Sequence, residues 1–250
     1  MDQTSATNQP ILLGALFSAA WDAFVKHWKS IVLLTLMIAL PLNLLGAIAN
    51  TQIVDSVANT QDLSNLFSQS FGASLGIAII LLSLAGVLIP LGIVAIFRAE
   101  EEGKTLSAQE ALQQAISHWG AGLITGVVMA ILLIGLVILL VVPAIIFGVY
   151  WAFALYVVMH DDLRGMAALK ESQRIIKGYW WKVVGNMFVL SFVASFVGSV
   201  LGAPFRNMSN GIVSGTIVNT IASVASSFAL VGGYLLYRSL KATKPARPNA

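Results

Sequence analysis

Six long apolar stretches, none of which contains Asp, Glu, Lys or Arg, limit what this chain can fold into. They run over 31–49, 74–97, 121–142, 144–159, 183–203 and 212–237. An α-helix rises about 1.5 Å per residue, so most of these stretches can cross a bilayer core of about 30 Å. The sequence therefore predicts an all-α, polytopic membrane protein with six transmembrane helices.

The basic residues predict an orientation. All of the 14 Lys and Arg residues except Arg206 fall on one side when the six stretches are threaded through a bilayer. Cytoplasmic loops carry the excess of Lys and Arg, so we expect both termini in the cytoplasm. Each cation near a membrane surface favours anionic headgroups by about 1 kcal/mol. The expected partners are therefore membrane phospholipids at the cytoplasmic face, and not nucleic acid.

Composition narrows the class further. Hydrophobic residues make up 58% of the chain and charged residues 10%, whereas about a quarter of a soluble domain is charged. The chain has no cysteine, which excludes structural disulfides, thiolate metal sites and a cysteine nucleophile.

A repeated pattern precedes the first, third and fifth stretches. The three segments are 14–29, 107–119 and 166–182. Each segment places apolar residues on one helical face and has aromatic residues at its C-terminal end. This pattern predicts helices on the cytoplasmic membrane surface. The expected interfacial anchors are Trp28, Trp119, Trp180 and Trp181.

The pattern predicts three units, each an interfacial helix followed by a transmembrane hairpin. The units cover about 11–105, 106–165 and 166–240 of a single membrane domain over 1–250, with a basic disordered tail at 241–250. Ser107 and Glu110 have the spacing of a capping box, which supports a helix start at that point.

The last two stretches carry small polar residues at helical spacing. They are Ser191, Ser195, Ser199, Thr216, Asn219 and Thr220. Such residues let membrane helices approach closely and bond across the contact. A polar lining for a lipid headgroup or a small solute remains the alternative interpretation.

Three prolines are expected at kinks or turns, because proline removes a helix hydrogen bond. Pro41 and Pro90 fall inside predicted spans, and Pro143 lies at a tight turn between the third and fourth stretches. The fourth stretch is short, so that turn closes either a transmembrane hairpin, which we favour, or a re-entrant pair.

Two polar clusters could in principle bind a divalent cation: His160-Asp161-Asp162 and Glu100-Glu101-Glu102. We interpret both as solvated ends of apolar spans, and expect no metal and no cofactor. His27 and His118 each precede a tryptophan, for which interfacial packing is the simpler explanation. No set of Ser, His and acid has spacing for acyl transfer, so an enzyme is not expected.

Three parts of the chain resemble a known family. They are Ala19-Ala20-Trp21, VVPAIIFGVYWAFA at 141–154 and AALKESQRIIKGYWW at 167–181. The chain resembles the bacterial YciC-type proteins and the related membrane domain of some glycerophosphodiester phosphodiesterases. Its motifs are Pro143-Ala144-Ile145-Ile146, where the family often has Gly at the second position, and Ala168-Leu169-Lys170-Glu171-Ser172. The resemblance implies a six-span bacterial inner-membrane protein and no catalytic role.

These observations favour a non-enzymatic membrane protein that organises lipids or supports a membrane complex. A passive transporter or lipid-translocating protein is the alternative, with a pathway between the last two spans. Small-residue stripes suit internal packing, a homo-oligomer or a membrane-protein partner alike.

Overall fold

The computed structural model describes residues 12–58 and 84–244, with side chains described outside 50–58. The helices are α1 Leu13–Ala58, α2 Leu88–Glu101, α3 Ala108–Leu139, α4 Val141–Tyr150, α5 Ala154–Asp161, α6 Met166–Ile176, α7 Trp180–Gly202 and α8 Gly211–Ala242, with a 3₁₀ turn at Ala203–Phe205. No strand occurs among the described residues, so the all-α prediction is confirmed.

Five segments of the described chain are long and apolar enough to cross a membrane. They are Leu13–Ala49, Ala108–Leu139, Val141–Asp161, Trp180–Phe205 and Gly211–Ala242. They match five of the predicted stretches, and the chain is compatible with an integral membrane protein. The predicted second span begins at residue 74, and its first part, 74–83, lies outside the described residues. Residues 245–250 of the predicted tail also lie outside them, whereas residues 241 and 242 still belong to α8.

Helices α1, α7 and α8 form an antiparallel group. Thr35 Oγ1 lies 2.8 Å from Ser227 Oγ, and Asn43 Nδ2 donates to Thr220 Oγ1 at 3.2 Å. Residue numbers therefore rise along α1 as they fall along α8. Helix α7 packs on the other side of α8, with Gly198 facing Ala222.

The charged ends of several helices meet in one region, which we call the polar end. Three ion pairs mark it: Lys26 with Glu100, Arg98 with Asp162, and Lys241 with Asp161. His118 Nε2 also lies 3.0 Å from Asp162 Oδ1. These residues belong to α1, α2, α3, α5, α8 and the turn after α5. The polar ends of these helices therefore lie at the same end of the protein.

Helix α1 is kinked at His27, whose φ of −109° and ψ of 15° are not helical. Residues 13–26 before the kink form an N-terminal arm. Phe17, Trp21 and Phe24 of this arm pack edge-on against Phe228 of α8, with ring centroids 5.4, 6.4 and 6.0 Å away. The first predicted surface segment is thus folded across α8.

The second predicted surface segment, 107–119, is not a separate helix. It is the first part of α3, which continues to Leu139. The capping box at Ser107 and Glu110 is present and starts this helix. Gly120 does not interrupt it, because one glycine inside a helix costs only about 1 kcal/mol.

The third predicted segment, 166–182, contains a break. Helix α6 ends at Ile176, and α7 begins at Trp180 after a turn in which Gly178 has a φ of +90°. Glycine adopts this conformation without steric cost. Ala168, Leu169 and Ile175 are fully buried, so α6 packs its apolar face into the protein.

Helices α3 and α4 form a hairpin joined by the extended residue Leu140. The connection therefore lies three residues before Pro143, where the sequence placed it. Pro143 instead lies in the first turn of α4, where a missing N–H removes no intrahelical hydrogen bond. Ile138 and Leu139 at the hairpin tip are 79% and 77% exposed. Exposed apolar side chains of this kind are typical of a surface that contacts lipid or another protein.

The predicted fourth span is divided into α4 and α5 by a turn at residues 151–153. Ser172 of α6 inserts its hydroxyl at this break. It donates to the Tyr150 carbonyl at 2.7 Å and accepts from the Phe153 N–H at 3.2 Å. Ser172 is fully buried, so this hydroxyl supplies hydrogen bonds that a continuous helix would have made internally.

We expect Ser172→Ala to destabilise the protein by about 1–3 kcal/mol, because it leaves a buried carbonyl and a buried N–H without this partner. Thermal unfolding in detergent measures the effect. Ser195→Ala, on the exposed side of α7, is the matched control and should change stability little. Equal melting temperatures for the two variants would contradict the role given to Ser172.

Candidate functional site

An apolar groove of about 370 Å³ lies between α1 and α7, over the surface of α8. Its lining residues are Phe17, Trp21, Phe24 and Leu36 of α1, Val193, Ala194, Val197 and Leu201 of α7, and Thr220, Ile221, Val224, Ala225 and Phe228 of α8. Thr220 is the polar member of this set. Ligand sites of this size are usually apolar with few polar groups, so we treat the groove as the candidate site.

Close packing of α7 on α8 forms one side of the groove. A Cβ atom added at Gly198 would lie 3.2 Å from the Ala222 Cα, and one at Gly202 would lie 3.4 Å from Val218 Cγ1. Small residues allow membrane helices to approach in this way. The close approach holds Ala194 and Val197 beside the surface of α8.

The N-terminal arm forms the other side and one end of the groove. Leu16 and Ala20 are buried, while Phe17 and Trp21 remain partly exposed at the groove. The kink at His27 is what brings the arm over α8, because a straight α1 would carry these aromatic residues away from Phe228. The groove therefore depends on the conformation of one residue of α1.

The predicted polar face divides between two environments. Ser191, Ser195 and Ser199 lie on the exposed side of α7, and the contact with α8 is made by Gly198 and Gly202 instead. Both stripes have a spacing of four residues, but glycine permits a closer approach than serine does. The spacing alone did not distinguish the serine stripe of α7 from its glycine stripe.

Three members of that face lie on α8. Thr220 is buried, Thr216 is half-buried and donates to the Ile212 carbonyl, and Asn219 is exposed. Asn43 of α1 reaches this surface, where its Nδ2 donates to Thr220 at 3.2 Å and to Ser223 at 3.3 Å.

A second, more polar cavity of about 350 Å³ lies beside these contacts. Its lining residues are Asn43, Ile89, Asn219, Ala222, Ser223, Ser226 and Leu230. Within the described chain, the side chains of Asn219 and Ser226 make no hydrogen bond, unlike that of Asn43. The cavity therefore presents an amide and a hydroxyl that are free to bind a polar group.

The two remaining prolines have different surroundings. Pro41 lies inside α1, whose non-helical residue is His27 and not a neighbour of Pro41. Pro90 is the third residue of α2 and follows the interruption at residue 87. A proline ring clashes with the carbonyl four residues earlier, which accounts for a helix boundary at that point.

The predicted anchors also differ in their contacts. The indole of Trp119 donates to the Leu84 carbonyl at 3.0 Å, and that of Trp180 to the Ile146 carbonyl at 3.3 Å. Trp28 lies beside Lys29, whose Nζ is 5.9 Å from the ring centroid. Trp181 is 79% exposed.

The structure places both acidic clusters at the polar end, where cations and tyrosine hydroxyls already bind their carboxylates. Glu101 accepts from Arg238 at 3.0 Å and from the Tyr234 hydroxyl at 2.8 Å. Asp161 accepts from Lys241 and from the Tyr237 hydroxyl. Among the described residues, no group of three His, Asp or Glu side chains could hold a metal ion.

Tyr234 and Tyr237 are fully buried, and sequence reasoning did not identify them. The Tyr234 hydroxyl also lies 3.2 Å from His160 Nδ1. A spacing of three and then four residues places Tyr234, Tyr237 and Lys241 on one face of α8. That pattern could have indicated a polar contact at the end of α8, without naming the helices that supply its partners.

Glu100 is held by the kinked part of α1. Partial burial raises the pKa of Glu100, but hydrogen bonding from Lys26 and the charges of His27 and Lys26 outweigh burial, so its pKa lies below the usual value. The His27 Nε2 atom is 3.1 Å from Glu100 Oε2, without the alignment of a hydrogen bond. The carboxylate thus links the kink to the end of α2.

Comparison of the chain with protein families, with curated proteins and with solved structures finds no match. The site is therefore interpreted from its own residues.

We expect Gly198→Val to destabilise the protein by about 1–3 kcal/mol, because the added side chain must separate α7 from α8. Thermal unfolding in detergent checks this. Ser199→Val places the same side chain on the exposed face of α7 and should change stability by no more than about 0.5 kcal/mol. Equal losses of stability in the two variants would contradict the close packing of Gly198 against α8.

Proposed function

We propose that this chain is a non-enzymatic integral membrane protein that binds and organises membrane lipids, with an acyl chain held in the groove. The observation that carries the proposal is the groove itself, lined by apolar side chains from α1, α7 and α8. Its residues come from three helices that are long and apolar enough to cross a membrane. Lipid acyl chains are the apolar ligand that surrounds such a surface in a bilayer.

The proposal includes a bacterial inner-membrane location, six spans and both termini in the cytoplasm. Helix α1 runs away from the polar end and α2 runs towards it, since Lys26 and Glu100 meet there. A crossing by residues 74–97 would connect these two directions. The side that carries most Lys and Arg residues would then be cytoplasmic, with anionic headgroups as neighbours.

We also propose membership of the YciC-type family and the three-unit organisation, on sequence grounds. The exposed α3–α4 hairpin and the exposed serine face of α7 are surfaces that a homo-oligomer or a membrane-protein partner could cover.

Filling the groove tests the proposed function. Val224→Trp places an indole in the groove beside Ile221 and Phe228, which lie on the same face of α8. We expect this variant to lose the most firmly held phospholipid in native mass spectrometry of the purified protein. Ser195→Trp adds the same indole on the exposed side of α7 and should leave lipid retention unchanged. Thermal unfolding confirms that both variants are folded.

Retention of the same lipids by the wild type and by Val224→Trp would contradict binding in the groove. Solute transport or substrate turnover by the purified wild type would contradict the broader proposal of a lipid-organising protein.

A passive transporter or lipid-translocating protein is the second candidate, favoured by the free amide of Asn219 and hydroxyl of Ser226 in the polar cavity. Polar groups in an apolar bilayer core are costly unless they have partners. A polar group passing through the cavity would supply a hydrogen-bond partner for Asn219 and Ser226.

For this candidate we expect Asn219→Leu to abolish the flux of a fluorescent phospholipid across vesicles containing the protein. Ser195→Leu, which lies away from the cavity, should retain flux. Wild-type vesicles that translocate no faster than protein-free vesicles would exclude lipid translocation.

A further inference from the structure

We propose that Lys182, Lys244 and Tyr179 form a binding site for a phosphate group, with the phosphate of an anionic lipid headgroup as its ligand. The site rests on the proposed lipid binding but lies apart from the groove, at the junction of α6, α7 and the end of α8. The groove is proposed to bind an acyl chain, and this site would bind the headgroup.

Two ammonium groups converge on one ring. Lys244 Nζ is 4.9 Å and Lys182 Nζ is 5.7 Å from the centroid of the Tyr179 ring. The two charges are therefore no further apart than the sum of these distances. Lys244 comes from the end of α8 and Lys182 from the first turn of α7, so the fold, and not sequence proximity, brings them together.

The contacts around Tyr179 fix this arrangement. Lys244 Nζ donates to the Lys177 carbonyl at 2.7 Å, and the Tyr179 N–H donates to the Ile176 carbonyl at 2.8 Å. The intervening turn requires the positive φ of Gly178. Lys244 is therefore held over the ring by a backbone acceptor, although neighbouring cations repel it.

Among the described side chains, at residues 12–49 and 84–244, no carboxylate neutralises these cations. Neither Lys182 nor Lys244 forms an ion pair with Asp or Glu there, in contrast to Lys26 and Lys241. In the same part of the chain, the Tyr179 hydroxyl has no hydrogen-bond partner. Two ammonium donors and a phenolic hydroxyl can together bind the oxygen atoms of one phosphate.

The surroundings favour a lipid as the source of the phosphate. Trp180, between Tyr179 and Trp181 in the chain, donates its indole N–H to the Ile146 carbonyl of α4. Ile145 and Val142 of the same helix are 58% and 66% exposed. An apolar surface suited to acyl chains thus lies beside the cationic groups.

The test is native mass spectrometry of the full chain with added phosphatidylglycerol or phosphatidylcholine of identical acyl chains. The wild type should retain phosphatidylglycerol preferentially. The double variant Lys182→Gln/Lys244→Gln should lower that preference about tenfold or more, because it removes two cations. Lys29→Gln/Lys170→Gln removes the same charge from exposed positions that do not contact Tyr179, and should retain the preference.

If both double variants lose the preference for phosphatidylglycerol equally, the preference depends on net charge alone. That result would overturn the site. Unchanged preference in Lys182→Gln/Lys244→Gln would overturn it as well. Both lipids carry a phosphate, but only phosphatidylglycerol has a net negative headgroup. Retention of both lipids without preference by the wild type would therefore overturn the anionic headgroup as the ligand and leave lipid binding in the groove intact.

A second experiment uses inorganic phosphate as a competing ligand. Displacement of phosphatidylglycerol by millimolar phosphate would identify free phosphate as a competing ligand and support the phosphate chemistry of the site. If the wild type retains no phospholipid, the proposed lipid binding fails. The site then stands only if phosphate raises the melting temperature of the wild type and not that of Lys182→Gln/Lys244→Gln.

Discussion

The buried hydrogen bonds of Tyr234 and Tyr237 join the ends of three helices, and the rest of the arrangement depends on them. Their hydroxyls lie near Glu101 at the end of α2 and near His160 and Asp161 at the end of α5. Buried hydroxyls without partners are costly, so these contacts favour one register of α8 against its neighbours. Arg238 and Lys241 supply the positive charge that lets the carboxylates lie close together.

Once α8 is held in this register, its remaining surface is divided between α1 and α7. Thr35 meets Ser227 on the α1 side, and Gly198 meets Ala222 on the α7 side. Ile221 and Val224 lie between these two contacts and form the floor of the groove. The proposed lipid site is thus a consequence of where small residues permit close contact and where larger residues hold the helices apart.

The break between α4 and α5 shows how the fold tolerates irregular backbone in an apolar region. Such backbone is stable where protein groups supply its hydrogen bonds. Ser172 does so from α6, which packs into the break. The turn after α6 then places Tyr179 and Lys182 near Lys244, so one short helix both completes the broken span and positions the cationic site.

The helical class, the apolar segments and the start of α3 at Ser107 can all be read from the sequence, because they depend on local composition and on contacts a few residues apart. The sequence could not locate the break at residues 151–153, the fold-back of the N-terminal arm or the partners of Tyr234. It also could not tell whether glycines or serines of α7 would face α8, since both have the same spacing. Each of these features depends on steric fit or hydrogen bonding between residues far apart in the chain, which become neighbours only in the folded protein.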